Sequence, residues 1–526
     1  MVAPFDSLIS TMSILNPIEL NLFSSRVAAI CDEMGLVLRR AAFSPNIKDR
    51  LDFSCALFGT NGELFAQADH MPVHLGSMAF AMSSIVKNRR WQQGDMLVLN
   101  DPFLGGTHLP DVTLIAPVFV AEAGLVGFVA NRAHHANIGC ETPGSMPISS
   151  TLEEEGIVIS PTWLLKQGKL QKEATYLPGV MNGELTGDFA AQAGANQVGI
   201  QRLEALVTSL GVESYLKGMV QLNDYADSIA AHTIAKLQSG SYHFKDYLDD
   251  DGCGTTKIVL VIDLTINKED VELDFRDSSA MVAGNLNCPE SVVAAAGYFC
   301  FRCLMPTDAP ACEGLFRRIK ISTKPGSIVN AERPAAVAAG NVETSTRLVD
   351  LVFGALAKAM PNNIAAASQG TMNNIAMGYI DVVNDSRWDY YETVAGGMGA
   401  GPNYPGLDSV HTHMTNTLNT PVESLEMHYP LRIRRYEVRT GSGGAGVNKG
   451  GDGIVREYEF LESAQLSILS ERRHFSPWGL HGADAGKKGR NLLNGKDLPG
   501  KCSLAVEPGD RLTVMSPGGG GWNPPE

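Results

Sequence analysis

A mixed α/β protein of several structural units, α+β in type, is the architecture this sequence predicts: an N-terminal helix with β-hairpins, a helical middle, and a glycine-rich, β-rich C-terminal part. Three observations predict it. Apolar residues recur at helical spacing after Asn16-Pro17, β-prone runs flank an Asn-Gly pair soon afterwards, and the 54 glycines gather toward the C-terminal end. A chain of 526 residues has material for two to four units. The expected divisions are 1–238, an α/β domain, 239–429, a middle α/β domain, and 430–526, the glycine-rich β domain.

The first helix is the most legible element. Asn16 caps it, Pro17 occupies its first turn, and Leu20, Phe23, Val27, Ile30, Met34, Val37 and Ala41 form one apolar stripe. Phe53 to Phe58 and Glu63 to Ala68 then flank Thr60-Asn61-Gly62, a strong short-range hairpin signal, with Asp52 at its foot. A second hairpin joins Asp111–Val120 to Leu125–His134 through Ala121-Glu122-Ala123-Gly124. Pairing Val120 with Leu125 and counting back along that register sets Asp111 opposite His134.

From about 190 to 240 the pattern is helical, with Leu203, Leu206, Val207 and Leu210 on one stripe. Strands are expected at Lys257–Leu264 and Val271–Phe275, and helices from Ser291 to Leu304 and through Leu348, Leu351, Val352, Ala355, Leu356 and Ala359, ending before Pro361. After Tyr429 the chain reads as short strands broken by glycine.

Composition narrows the function. Forty-two basic residues against fifty-seven acidic ones give a formal charge of −15, which repels a phosphate backbone, so nucleic acid is not an expected partner. The segment from Met1 to Leu15 carries Asp6 and no basic stretch, and no apolar run is long enough to span a bilayer, so neither a membrane nor a secretory route is expected. Nine cysteines without framework spacing fit reduced thiols in the cytoplasm. Cys300 and Cys303 form a CxxC, but inside an apolar helical stretch that favours a structural reading.

The segment Asn100–Asp111 places His108 three residues before Asp111, and the predicted partner strand ends at His134. Two imidazoles and a carboxylate leave coordination positions open, as a catalytic divalent metal requires. The plain alternative has His108 and His134 as solvent-facing residues at strand ends; the shared register is what favours the metal. His135 points to the opposite face of its strand and is expected as a supporting or core residue. Asp69, His70 and His74 follow the first hairpin and offer acid and base groups, with His74 a candidate catalytic residue and a plain loop as the alternative. Asp52, between Leu51 and Phe53, is the other candidate general base, because desolvation raises a carboxylate pKa; otherwise it caps a turn.

Two glycine motifs resemble nucleotide loops and are set aside. Gly441–Gly446 matches GxGxxG but opens no apolar helix, and Gly495–Lys501 mimics a P-loop with Pro499 in the cradle and Cys502 where Ser or Thr belongs. The run His411–Glu423 is rich in hydrogen-bonding side chains, as a substrate-facing loop or a surface turn would be.

Leu15–Leu20, Ser44–Ala56, Asn100–Asp111, His134–Pro147, His411–Glu423, Gly441–Tyr458 and Ser516–Trp522 together resemble, in the same order, the hydantoinase B/oxoprolinase family. The resemblance implies a B-type subunit that opens a cyclic amide such as a hydantoin, 5-oxoproline or another lactam. ATP and magnesium would sit on an A-type partner that phosphorylates the amide or carbonyl oxygen, in a hetero-oligomer. Carried over residue by residue, His108, Asp111 and His134 become ligands of zinc, manganese or iron. Related acetone and acetophenone carboxylases use the same activation logic, so a ketone carboxylase component is the alternative; a noncatalytic scaffold for the ATP-binding chain is a third reading. The family commonly has Asp and Gly where this chain has Asn137 and Cys140, from which an altered metal affinity or substrate choice is expected.

Overall fold

The computed structural model describes residues 15–68, 70–121, 123–381 and 386–525. Asp6, Asp69 and Glu122 lie outside them. The first helix, α1, spans Pro17–Ala41, and its start is closed twice: Asn16 Oδ1 accepts the N–H groups of Ile18 and Glu19, while the Glu19 carboxylate accepts the Asn16 N–H. Phe23, Val27, Ile30, Met34 and Leu38 are buried. Ala41 is exposed, because the buried stripe passes through Leu38 to Ala42 instead.

After a short turn of helix, α2 (Pro45–Lys48), the expected first hairpin appears as β1 (Phe53–Phe58) and β2 (Leu64–Gln67). Helix α3 (Pro72–Lys87) and strand β3 (Met96–Leu99) follow, then β4 (Asp111–Val120), β5 (Gly124–His134), β6 (Thr162–Lys166) and β7 (Lys169–Leu170). They form one seven-stranded sheet in the order β2-β1-β5-β4-β3-β6-β7. One face packs Cys55, Leu57, Val112, Leu114 and Val129 into the main core with α1 and α4 (Gly187–Leu210). The other face packs Ala56, Phe58, Ile115, Phe128 and Ala130 against Met78, Met82 and Ile85 of α3. Burial on both faces explains why β4 and β5 read as continuous apolar runs rather than as alternating patterns.

The second hairpin contains a correction. Val120 pairs with Gly124, not Leu125, and a bulge between Val118 and Phe119 restores the register so that Val118 meets Gly127 and Asp111 meets His134. The expectation at the site end of the hairpin therefore holds although the pair at the turn does not.

Helix α5 (Val212–Ala235) runs on from α4, and the helical region ends there, short of the expected 240. A strand the periodicity missed, Gly240–Asp250, pairs along its whole length with Thr256–Ile266, and Val271–Asp274 and Ile319–Ser322 complete that sheet. Helices α6 (Glu290–Arg302) and α7 (Ser345–Ala359) fall where expected. Cys300 is buried and Cys303, just past α6, is exposed; both are free thiols. A four-stranded sheet joins Asn374–Asp381 and Ser386–Thr393 to Ala464–Leu469 and Lys501–Val506, and a five-stranded sheet holds most other C-terminal strands. No helix among the described residues is long and apolar enough to cross a membrane.

The two glycine motifs have structural jobs. A Cβ on Gly443 would lie 1.8 Å from the Gly450 carbonyl oxygen, and one on Gly519 would lie 2.0 Å from that of Met398, so these segments pack backbone on backbone. The P-loop mimic starts in the turn of a small hairpin, Arg490–Leu493 with Lys496–Leu498, and runs along its second strand to the start of the next at Lys501.

Candidate metal centre

The centre forms where β4 begins and β5 ends. Asp111 and His134 are cross-strand partners, and alternation along the strands turns both side chains to the face covered by α3. His108 reaches the same point from the preceding loop. That loop is held by Asn100, whose Nδ2 donates to the Leu109 and Ile157 carbonyls, and Gly105 turns it at φ 111°, where a Cβ would lie 2.3 Å from that of Ala81. One ligand atom from each of His108, Asp111 and His134 lies within 4.8 Å of the others, close enough to share one ion.

The donor set fits a divalent cation. His108 Nδ1 and Nε2 and His134 Nε2 are buried without hydrogen-bond partners among the described residues. Leaving a buried polar atom unsatisfied costs about 1–3 kcal/mol, so two imidazoles with unpartnered nitrogens beside one carboxylate call for a compensating ligand. His108 Nε2 stands 3.3 Å from Asp111 Oδ1 without hydrogen-bond geometry, as two groups facing a common third would. Burial, and then His108, hold the His134 pKa well below its usual value, which keeps its ring neutral and able to donate a lone pair. Burial works against ionised Asp111, but His108 and His74 outweigh it and hold its pKa well below the carboxylate range.

Around these three a supporting layer is built. Met71 N–H donates to Ser54 Oγ, Ser54 is 2.9 Å from His74 Nδ1, and His74 Nε2 is 3.2 Å from Asp111 Oδ2. An ionised carboxylate only accepts, so His74 donates from Nε2 and receives the Ser54 proton at Nδ1. Thr107 donates to Asp111 Oδ2 at 2.6 Å, and Asn341 Nδ2 reaches the same oxygen at 3.4 Å. Asn46 Nδ2 lies 3.0 Å from His134 Nδ1; an amide has nearly the same shape turned end for end, and with its carbonyl toward the ring it would take the Nδ1 proton and free the Nε2 lone pair for a metal. Tyr391 stacks on His134, ring centroids 4.9 Å apart and planes 3° from parallel.

A narrow cavity adjoins the centre, lined by Asp52, His74, Asp111, His134 and Asn341, with Val73, Met372 and the threonines 393, 415 and 417 among its other walls. Burial and then Asp111 push the Asp52 pKa up to about 6. His135 lies on the far face, bonded to Gln192 at 2.9 Å and edge-on to Phe189, as its strand parity required. His70 is outside the cavity lining, against Phe53. Of the His411–Glu423 run, Thr415 and Thr417 face the cavity, whereas His413 pairs with Asp350 at 3.0 Å. Asn137 turns its amide oxygen to the Gly139 N–H, and Cys140 Sγ meets the Glu154 carbonyl, so both expected family departures serve their own loop.

Sequence reasoning missed Asn46, Thr107, Asn341 and Tyr391. Thr107 was within reach, being four residues before Asp111. Asn341 sits in a π-turn, Gly340–Thr344, at the head of α7, a local device that periodicity does not show and that recurs at functional sites.

In the same turn, burial raises the Glu343 pKa to about 7, while Oε1 accepts from Met372 N–H and Asn374 Nδ2. A carboxyl whose folded pKa exceeds its unfolded value contributes stability below the unfolded value and loses it as pH rises through the folded one. For Glu343 that window runs from about 4.5 to about 7. Glu343→Gln keeps the acceptor and removes the charge, so it is expected to stabilise the protein by up to about 3 kcal/mol at pH about 8 and to change little at pH about 5. Melting temperatures at the two pH values check this.

Residues 16–525 match the family model described as hydantoinase B/oxoprolinase. The 5-oxoprolinase 1 of Arabidopsis thaliana is 40% identical over 97% of this chain and 42% of its own length. A putative D-/L-hydantoinase component of Pseudomonas sp. (strain NS671) is 28% identical over 97% of this chain and 90% of its own. Among solved structures, the ATP-dependent caprolactamase from Pseudomonas jessenii superposes with a TM-score of 0.88 at 26% identity, covering 97% of this chain and 92% of that one. The chain spans only about two fifths of the length of the 5-oxoprolinases it matches, 42% and 40% for two of them. Because the match runs unbroken from the capped first helix, through every segment that builds the triad, to the terminal glycines, this chain belongs to the hydantoinase B/oxoprolinase family.

Proposed function

We propose that this chain is the B-type, metal-bearing component of an ATP-dependent cyclic amide hydrolase acting on 5-oxoproline or a related lactam, with ATP and magnesium on a separate A-type chain. The observation that carries the reading is the convergence of two imidazoles, each with an unpartnered buried nitrogen, on the Asp111 carboxylate beside a cavity. A divalent cation of the zinc, manganese or iron class, held by His108, Asp111 and His134, would supply Lewis acidity toward a carbonyl and lower the pKa of a nearby water. Relatives named for oxoproline, hydantoin and caprolactam support a cyclic amide as the substrate class.

The chain's own residues divide the remaining work. Asp52 lines the cavity and makes no side-chain hydrogen bond to another described residue, and with a pKa of about 6 it is poised to take a proton from attacking water at neutral pH. His74, its two nitrogens engaged by Ser54 and Asp111, orients the Asp111 carboxylate and holds a proton on Nε2. Val73, Val342 and Met372 give the cavity apolar walls that limit the water in contact with the reacting group. Housing ATP on another chain agrees with the two loop-like glycine motifs here being a backbone-packed turn and a hairpin.

The test combines the purified, metal-loaded chain with its A-type partner and ATP, and offers a panel of lactams in one arm and bicarbonate with small ketones in the other. ATP-dependent ring opening supports the reading, whereas carboxylation without ring opening replaces it. Asp52→Asn is expected to lower kcat by about 10²–10⁴-fold, the usual worth of a general base, while metal content stays at the wild-type level.

A further inference from the structure

Arg50 is fully buried, and no carboxylate lies within ion-pair distance of its guanidinium among the described residues; Asp52 and Glu392 act on it only through space. Its Nη1 donates to the Tyr391 carbonyl at 2.9 Å, Nε to that of Leu418 at 3.4 Å, and Nη2 to Thr393 Oγ1 at 2.7 Å. A buried cation without a counter-charge is costly, so the molecule has a use for negative charge nearby.

The path of that charge can be followed atom by atom. A guanidinium only donates, so Thr393 Oγ1 accepts from Arg50 and its own proton is free to go to Thr417 Oγ1, 3.0 Å away. Both hydroxyl contacts can run in either sense, but the Arg50 charge favours oxygens turned toward it and protons turned away, and in that sense Thr417, having accepted, donates to Thr415 Oγ1, again at 3.0 Å. Thr415 Oγ1 also accepts the Thr417 N–H at 3.5 Å, and in that sense its own proton is left for the cavity rather than for Thr417. All three threonines are buried and all three line the cavity beside the metal centre. With the hydroxyls oriented away from Arg50, each link polarises the next, and the last offers a proton donor to the cavity with a positive charge behind it.

We propose that this wall is a carboxylate subsite: Thr415 Oγ1 donates to a carboxylate carried on the ring of the substrate, and Arg50 acts as a positioning residue that orients the donor through Thr393 and Thr417. The inference rests on the cyclic amide reading above and narrows it to lactams bearing an anionic group. An amide carbonyl at the triad and a carboxylate at the threonines would fix such a ring at two points.

The experiment uses the metal-loaded chain with its A-type partner and ATP, and compares 5-oxoproline with 2-pyrrolidone, the same ring without the carboxylate. The wild type is expected to show the lower KM for 5-oxoproline. Thr415→Val keeps the shape and deletes the donor, and is expected to shift the ratio of the two KM values by about 10–100-fold toward the uncharged lactam, the range for a hydrogen bond to a charged group. Thr393→Val, which cuts the chain at its first link, shifts the ratio in the same direction, and Thr415→Ser restores it. A merely structural role would move both KM values together, and that result, or equal wild-type KM values, overturns the subsite. If neither lactam is opened, the hydrolase reading fails separately. Calorimetric titration of both compounds into the metal-loaded chain then decides the subsite: binding of 5-oxoproline that is selective and lost in Thr415→Val supports it, and anything else overturns it.

Discussion

His108→Ala is expected to strip the chain of its divalent cation and to lower ATP-dependent ring opening by about three orders of magnitude or more, equivalent to the several kcal/mol that a metal contributes to charge stabilisation. Neither nitrogen of its ring has a hydrogen-bond partner among the described residues, and the loop that carries it is secured by Asn100 and Gly105, so the fold does not depend on the imidazole. The variant should therefore melt at or above the temperature of the metal-free wild type. It should also lose the rise in melting temperature that added metal gives the wild type, since a ligand stabilises only the state that binds it. Elemental analysis and melting curves with and without metal check both parts. Unchanged metal content would remove the triad as the binding site, and metal loss with full turnover would favour a scaffolding role for the chain.

Arg472→Met is expected to have the largest effect on stability, about 3–5 kcal/mol, because it leaves buried charges without their partner. Arg472 is fully buried and bridges Asp350 at 2.6 Å and Asp246 at 3.1 Å, thereby tying α7 and the strand Gly240–Asp250 to the C-terminal part of the chain. Next to it Glu471 pairs with Lys501 at 2.7 Å and Arg347 at 3.3 Å, both also buried. Removing Arg472 leaves Asp350 with His413 at 3.0 Å and Asp246 with only Arg347 at 3.8 Å, a guanidinium already shared with Glu471. Denaturant unfolding of wild type and variant measures the loss. A difference within about 1 kcal/mol, the scale of an exposed ion pair, would show that solvent reaches this network after all.

What was legible in the sequence follows the range over which the physics acts. The cap of α1 is set by the Asn16 side chain, backbone N–H groups two and three residues on and the Glu19 carboxylate, and the opposition of Asp111 and His134 by the register of a single hairpin. Even there the bulge at Val118 shows that the count succeeded at the far end of the strands through a correction it had not foreseen. The strand Gly240–Asp250 escaped notice because its outer residues carry polar groups and its inner ones, such as Leu248, are few. His74 is an acid–base candidate on chain proximity to the first hairpin; its contacts, Nδ1 with Ser54 and Nε2 with Asp111, are set by tertiary packing.

By itself the sequence determined the α/β class, the first helix, the two hairpins and the meeting of two imidazoles with a carboxylate, because hydrogen-bond register and helical period carry position along the chain without outside help. Only the tertiary structure decided that Asn341 and Tyr391 close over that meeting point, and that Arg50 is wired through three threonines to the same cavity. Those neighbours arrive from segments hundreds of residues away, and their adjacency is fixed by how packed surfaces fit one another, for which no local spacing exists to be read.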